Sequence, residues 1–135
     1  MKKSSWAIVA LRLSVVALLI IVAAGCGKPT PSMMGGVYSR TDVSLVESIT
    51  LNKNGTFDQT VTYSDGQSFK VSDQWISEYR QVQFKRLYIT RDVESSKILS
   101  PPELRYGVNF VWERGVLVKD LDQGYLLRCT QKDGP

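Results

Sequence analysis

Leu45-Val46-Glu47-Ser48-Ile49-Thr50-Leu51-Asn52-Lys53-Asn54-Gly55-Thr56-Phe57-Asp58-Gln59-Thr60-Val61 is the stretch whose reading decides the fold. Leu45, Ile49 and Leu51 fall on every second position, and so do Phe57 and Val61 after the break. A period of two sets alternate side chains on one face of a strand. Lys53-Asn54-Gly55 lies between the two runs and suits a three-residue hairpin with Gly55 in the left-handed region. Such a turn pairs Leu51 with Phe57 and Ile49 with Gln59, so the apolar residues of both strands share a face.

The same pattern continues outward. Strands are expected at 36–40, 45–51, 56–63, 69–78, 82–89, 106–112, 116–120 and 125–130, joined by short turns rich in Gly, Asn and Asp. Asp65-Gly66-Gln67 predicts Tyr63 opposite Phe69, Val61 opposite Val71, Gln59 opposite Asp73 and Phe57 opposite Trp75. Glu113-Arg114-Gly115 predicts Trp112 opposite Val116 and Phe110 opposite Val118. Residues 90–104 are expected to form a loop with one or two helical turns, stopped by Pro101-Pro102 and able to act as a lid. Tyr63, Trp75, Phe84, Tyr88, Phe110 and Trp112 supply the bulk of the expected inner face. Leu87 and Ile89 are expected on the outer face, where they offer a contact surface or lie under the loop. A sheet apolar on one side must curl or close to bury that side. The fold class is therefore all-β: an antiparallel up-and-down small barrel or half-barrel of about eight strands.

Four residues interrupt the apolar face: Glu47, Gln59, Asp73 and Arg86. Ionised groups are rarely buried unless paired, and Arg86 between two carboxylates offers pairing. With Trp75 and Trp112 as apolar walls, these residues form a candidate site gripping one end of an amphiphilic ligand. The structural readings weigh more: an ion pair, a polar band at an open rim, or a register slip that moves Arg86 outward.

The amino terminus carries a different signal. Lys2 and Lys3 precede an apolar run over residues 13–24, after the late charge of Arg12. That run fits the core of a signal-peptide helix and is short of the ~20 apolar residues that span a bilayer. It ends in Val22-Ala23-Ala24-Gly25-Cys26, which resembles the lipobox of bacterial lipoprotein precursors, with Ala23 where leucine is usual. The resemblance implies cleavage before Cys26 and a lipid (diacylglyceryl and palmitate-type chains) on its thiol. It further implies a bacterial cell-envelope location, with the periplasmic face of the outer membrane favoured by Gly27 in a two-membrane source. The expected organisation is a signal peptide (1–25), a lipid-anchored linker (26–34) and an antiparallel β domain (35–135).

Gly36-Val37-Tyr38, the hairpin ending in Asn54-Gly55-Thr56-Phe57, Trp75 and Val82-Gln83-Phe84 together resemble the opening half of lipocalin-like (calycin) domains. That resemblance implies a small up-and-down barrel and carries over no ligand.

The chain has 17 basic and 13 acidic residues, a net +4. Removing the signal leaves 14 basic against 13 acidic, so the charge is no argument for nucleic acid. Cys26 and Cys129 are the only cysteines and histidine is absent. Histidine-activated nucleophiles are thereby excluded, and no residues have metal-ligand or phosphate-loop spacing. No cofactor, metal or enzymatic activity is expected. Two functions stand: a non-enzymatic binding or interaction module with a protein partner, and a lipocalin-like carrier or sensor of a small amphiphile.

Overall fold

Turn chemistry builds the molecule. In the computed structural model, which describes residues 30–132, a single helical turn, α1 (Pro31–Met34), leads into eight strands. They are β1 (Gly36–Thr41), β2 (Leu45–Leu51), β3 (Thr56–Tyr63), β4 (Ser68–Glu78), β5 (Gln81–Arg91), β6 (Ile98–Glu113), β7 (Val116–Asp120) and β8 (Tyr125–Lys132). All neighbours are antiparallel and β8 pairs back to β1, so the sheet is a closed up-and-down barrel. The expected signal peptide and the expected lipidation site, Cys26, lie outside the described residues. The linker expected to reach Met34 stops earlier, because α1 docks on the barrel with Met34 fully buried in its core.

The hairpin at 53–55 is as the sequence indicates, with Leu51 opposite Phe57, Ile49 opposite Gln59 and Gly55 at φ 86°. The next hairpin has the same three-residue form, with Ser64-Asp65-Gly66 as its loop and Gly66 at φ 91°. In each loop the middle side chain caps the backbone two residues on: Asn54 Oδ1 accepts from Thr56 N at 3.0 Å, and Asp65 Oδ1 from Gln67 N at 2.9 Å. The glycine is thus the third loop residue, not the second. The pairing of β3 with β4 is shifted by two from expectation: Gln59 faces Val71, and Phe57 faces Asp73. A shift of two leaves every side chain on its expected face.

At 113–116 the departure is one residue and flips the strand. Arg114-Gly115 is a two-residue turn with φ 48° and 80°, the doubly positive form that matches strand twist. Trp112 faces Leu117, and Leu117 is buried in place of Val116 and Val118.

The expected helical loop at 90–104 is replaced by strand. β5 continues to Arg91, the turn is short, and β6 runs through Pro101 and Pro102. Only residues 111–113 of β6 pair with β7, so the prolines lie where β6 has no β7 partner to bond. Along β5 the buried positions change phase: Val82 and Phe84 are buried, then Leu87 and Ile89. Gly107 (φ 63°) marks the kink on the facing part of β6. Leu87 and Ile89 therefore belong to the core and offer no outer contact surface, while Tyr88 turns to a second cluster.

The interior is layered. Phe57, Phe84, Phe110 and Tyr125 pack edge to face in series, with ring centroids 4.9, 5.5 and 5.9 Å apart. A smaller cluster of Leu45, Val61 and Tyr63, with Phe69, Tyr88 and Ile98 against it, fills the far end. Cys129 is a free thiol packed partly against the main core.

Barrel closure runs through Gly36, where β1 meets β8 beside a bulge at Val37/Tyr38. A Cβ there would lie 2.5 Å from the Gln131 carbonyl at φ 146°, whereas one on Gly66 would meet nothing. Gly36→Ala is expected to destabilise by about 2–3 kcal/mol from strain plus backbone clash, and Gly66→Ala by about 1 kcal/mol. Urea unfolding of both variants checks the order.

Candidate functional site

Five polar side chains from five strands meet between the two apolar clusters: Arg40 (β1), Glu47 (β2), Gln59 (β3), Thr90 (β5) and Tyr125 (β8). Arg40 and Glu47 are cross-strand partners. Glu47, Gln59, Thr90 and Tyr125 are almost completely buried, and Arg40 is nearly so. Arg40 Nη2 donates to Glu47 Oε2 at 3.3 Å and to Thr90 Oγ1 at 2.6 Å. Thr90 Oγ1 donates to Glu47 Oε2 at 3.0 Å, and Gln59 Nε2 to Glu47 Oε1 at 2.9 Å. The Tyr125 hydroxyl lies 3.4 Å from Glu47 Oε1 and 3.2 Å from Thr90 Oγ1, and its ring carries the Arg40 guanidinium 4.5 Å from the centroid. Donors from four residues thus surround one carboxylate.

Burial pushes the Glu47 carboxyl above its ordinary value; the Arg40 charge and the bonds from Thr90 and Gln59 oppose that shift. Burial and the Glu47 charge push the Tyr125 hydroxyl up. At the rim, Asp42 links Arg40 (3.8 Å) to Arg91 (2.8 Å). The Val43 N–H chiefly holds the Asp42 carboxyl below its ordinary value, with Arg91 assisting.

Of the residues expected to form a ligand grip, only Glu47 and Gln59 are in this layer. Asp73 and Arg86 pair with each other at 2.5 Å in the wall, with the Arg86 side chain 40 % exposed. The Arg86 bond lowers the Asp73 carboxyl. Their separation from Glu47 has a cause in the sheet. The ladder between β4 and β5 covers only 75–78 with 81–84. Beyond it Arg86 reaches across to Asp73, and the Gln59 amide takes the place of a strand. Its Nε2 donates to the Tyr88 carbonyl and its Oε1 accepts from the Tyr88 N–H, both at 2.8 Å.

Trp75 is buried and donates Nε1 to the Asn52 carbonyl at 3.0 Å, pinning a turn. Trp112 donates Nε1 to the Tyr38 hydroxyl at 2.9 Å. Both indoles therefore hold the scaffold together. Arg40, Thr90 and Tyr125 are not among the residues the sequence singles out. Arg40 is legible as the same-face neighbour of Tyr38, Thr90 opens the expected loop, and Tyr125 carries no polar signal because its ring alternates with Leu127 as core.

Two open grooves lie elsewhere. One of about 440 Å³ crosses the outer wall between Ile76, Gln83, Lys85 and Tyr106. One of about 450 Å³ lies between α1 and the β6–β7 turn, bordered by Met33, Trp112, Arg114 and Lys132. No polar-layer residue lines either groove. Among the described residues no group of acidic residues and cysteine has metal-binding geometry. The molecule is thus a closed eight-stranded barrel with an aromatic filling and a buried charge layer. No protein family, curated protein or solved structure matches the chain.

Arg40→Met leaves Glu47 enclosed without its cation and is expected to cost about 3–5 kcal/mol. Arg86→Ala, breaking a half-exposed pair, is expected to cost at most about 1 kcal/mol; urea titration of each gives the comparison.

A pH series tests Glu47 itself. Its raised carboxyl makes the folded chain hold the proton longer than the unfolded one does. The resulting stability is complete below the ordinary value of 4.5 and is lost as pH rises through the folded value. Relative to Glu47→Gln, the parent chain should therefore lose stability from about pH 4.5 upward, read as unfolding free energy in buffered urea.

Proposed function

We propose that this chain is an exported lipoprotein of the bacterial cell envelope, anchored through Cys26, whose barrel is a rigid non-enzymatic interaction module. The observation that carries this reading is the far end of the barrel, opposite the linker. Three of its four turns place an exposed aliphatic residue next to carboxylates: Asp42-Val43, Asp92-Val93-Glu94 and Asp120-Leu121-Asp122. Val43 is 98 % and Leu121 71 % exposed. Apolar tips ringed by negative charge suit a protein partner with apolar recesses in a basic surface.

The edge-to-face rings at ≤1 % exposure favour interaction over carriage, because an amphiphile inside the barrel would have to displace them. The outward wall of β3 and the first half of β4 is polar, as at Asp58, Thr60, Thr62, Lys70 and Ser72, while Ile76, Tyr106 and Val111 are exposed among polar neighbours elsewhere. That is the reverse of a lipid-facing strand, which supports a barrel held at a membrane surface and not within it. Among the described residues no helix is long and apolar enough to cross a membrane.

Two measurements test the proposal. Intact mass of the protein made from the full chain in a bacterial host should show loss of residues 1–25 and an acyl addition, absent in Cys26→Ser. A photo-crosslinker at Val43 or Leu121 should capture a protein through a basic surface, and capture should fall when Asp92, Asp120 and Asp122 become Asn. Equal capture from Thr60 on the wall would count against the far end as the contact face.

A further inference from the structure

We infer that the opposite, linker-bearing end of the barrel is a docking surface for an anionic phospholipid bilayer. An even number of up-and-down strands brings the start of β1, the end of β8 and the turns at 52–55, 79–80 and 114–115 to one end. That end carries Lys53, Arg80, Arg114 and Lys132 against Glu78 and Glu113, one of which is paired to Arg80 at 3.7 Å. The far end carries Asp42, Asp65, Asp92, Glu94, Asp120 and Asp122 against Arg91 and Lys97. The near-neutral mature chain is therefore a strongly polarised barrel. Strands of seven or eight residues run about 25 Å, about 19 Å along the axis of a tilted barrel, which is a little over two screening lengths at physiological salt, so a bilayer at one end acts chiefly on that end.

Shape and chemistry agree with the charge. Tyr79 occupies the β4–β5 turn at φ 58°, a conformation bulky residues rarely adopt, and its ring is 57 % exposed beneath the Arg80 guanidinium. An exposed tyrosine beside an arginine is the pairing found where protein meets headgroups. The groove between Met33 and Trp112 is flanked by Arg114 and Lys132, giving an apolar floor and two cations for a lipid phosphate. Four residues separate Cys26 from Pro31, a reach of at most about 17 Å. The inference rests on the lipid-anchor reading for the nearness of a bilayer; the surface itself stands on the residues named here.

The test uses protein made from the full chain, purified from host membranes and placed in nanodiscs. These contain phosphatidylcholine alone or about one-third phosphatidylglycerol. Amide exchange at 52–55, 79–80 and 114–115 should slow several-fold with phosphatidylglycerol and recover in high salt, while the far-end turns stay unchanged. Arg80→Glu and Lys132→Glu should each weaken the protection. Arg114→Asn, compatible with the left-handed turn, should do so without loss of thermal stability. Equal exchange at both ends, or protection indifferent to phosphatidylglycerol and to these variants, overturns the inference. Intact mass of the same sample separates the two readings. An acylated chain without protection sinks the docking surface and keeps the anchor. An unacylated chain with lipid-dependent protection does the reverse.

Discussion

A carboxylate enclosed in a protein has to be matched donor by donor, and Glu47 imposes that demand on much of the barrel. Arg40, Gln59, Thr90 and Tyr125 answer it from four further strands. An unpaired charge at this depth would cost several kcal/mol, more than most single contacts contribute. The network also resolves an ambiguity that apolar alternation cannot. Sliding β2 by two residues against β1 keeps every apolar side chain inside, yet it removes Glu47 from Arg40. The hydrophobic pattern selects a face, and the charge layer selects a register.

Alternation from residue 45 to 75 made the strands, their faces and the closed-sheet architecture readable in the sequence, because period-two burial is local information. Turn length was less accessible. Asp65-Gly66 and Arg114-Gly115 look alike, yet the first pair ends a three-residue loop and the second is the whole of a two-residue turn. The difference left faces intact in the first case and inverted Val116, Leu117 and Val118 in the second. The phase change between Phe84 and Leu87 was illegible, since it depends on a kink shared with Gly107 on another strand. The candidate site was half legible for the same reason. Glu47 and Gln59 stand out as polar residues on an apolar face, whereas Arg86 leaves that face where β4 and β5 part.

The barrel's two ends divide its chemistry. Met34, Tyr38 and Trp112 close the linker end through hydrogen bonds from the Trp112 indole to the Tyr38 hydroxyl and from that hydroxyl to the Met34 carbonyl at 2.5 Å. Tyr63, Phe69 and Tyr88 close the other with edge-to-face contacts near 6 Å. The Arg40–Glu47 layer lies between the main core and this second cluster. Rigidity in such a body lets loop tips present fixed positions to a partner with little ordering cost on binding.

The Gln59 amide supplies one rung where β4 has already turned away from β5. A strand edge left bare beside Leu87 and Ile89 would be a template for another chain's backbone. A single side chain therefore covers backbone where β4 and β5 separate. Its removal would matter less for the energy of two hydrogen bonds than for the backbone it uncovers. Cover for that stretch of strand edge is thus lodged in an interior residue, where inspection of the surface would not find it.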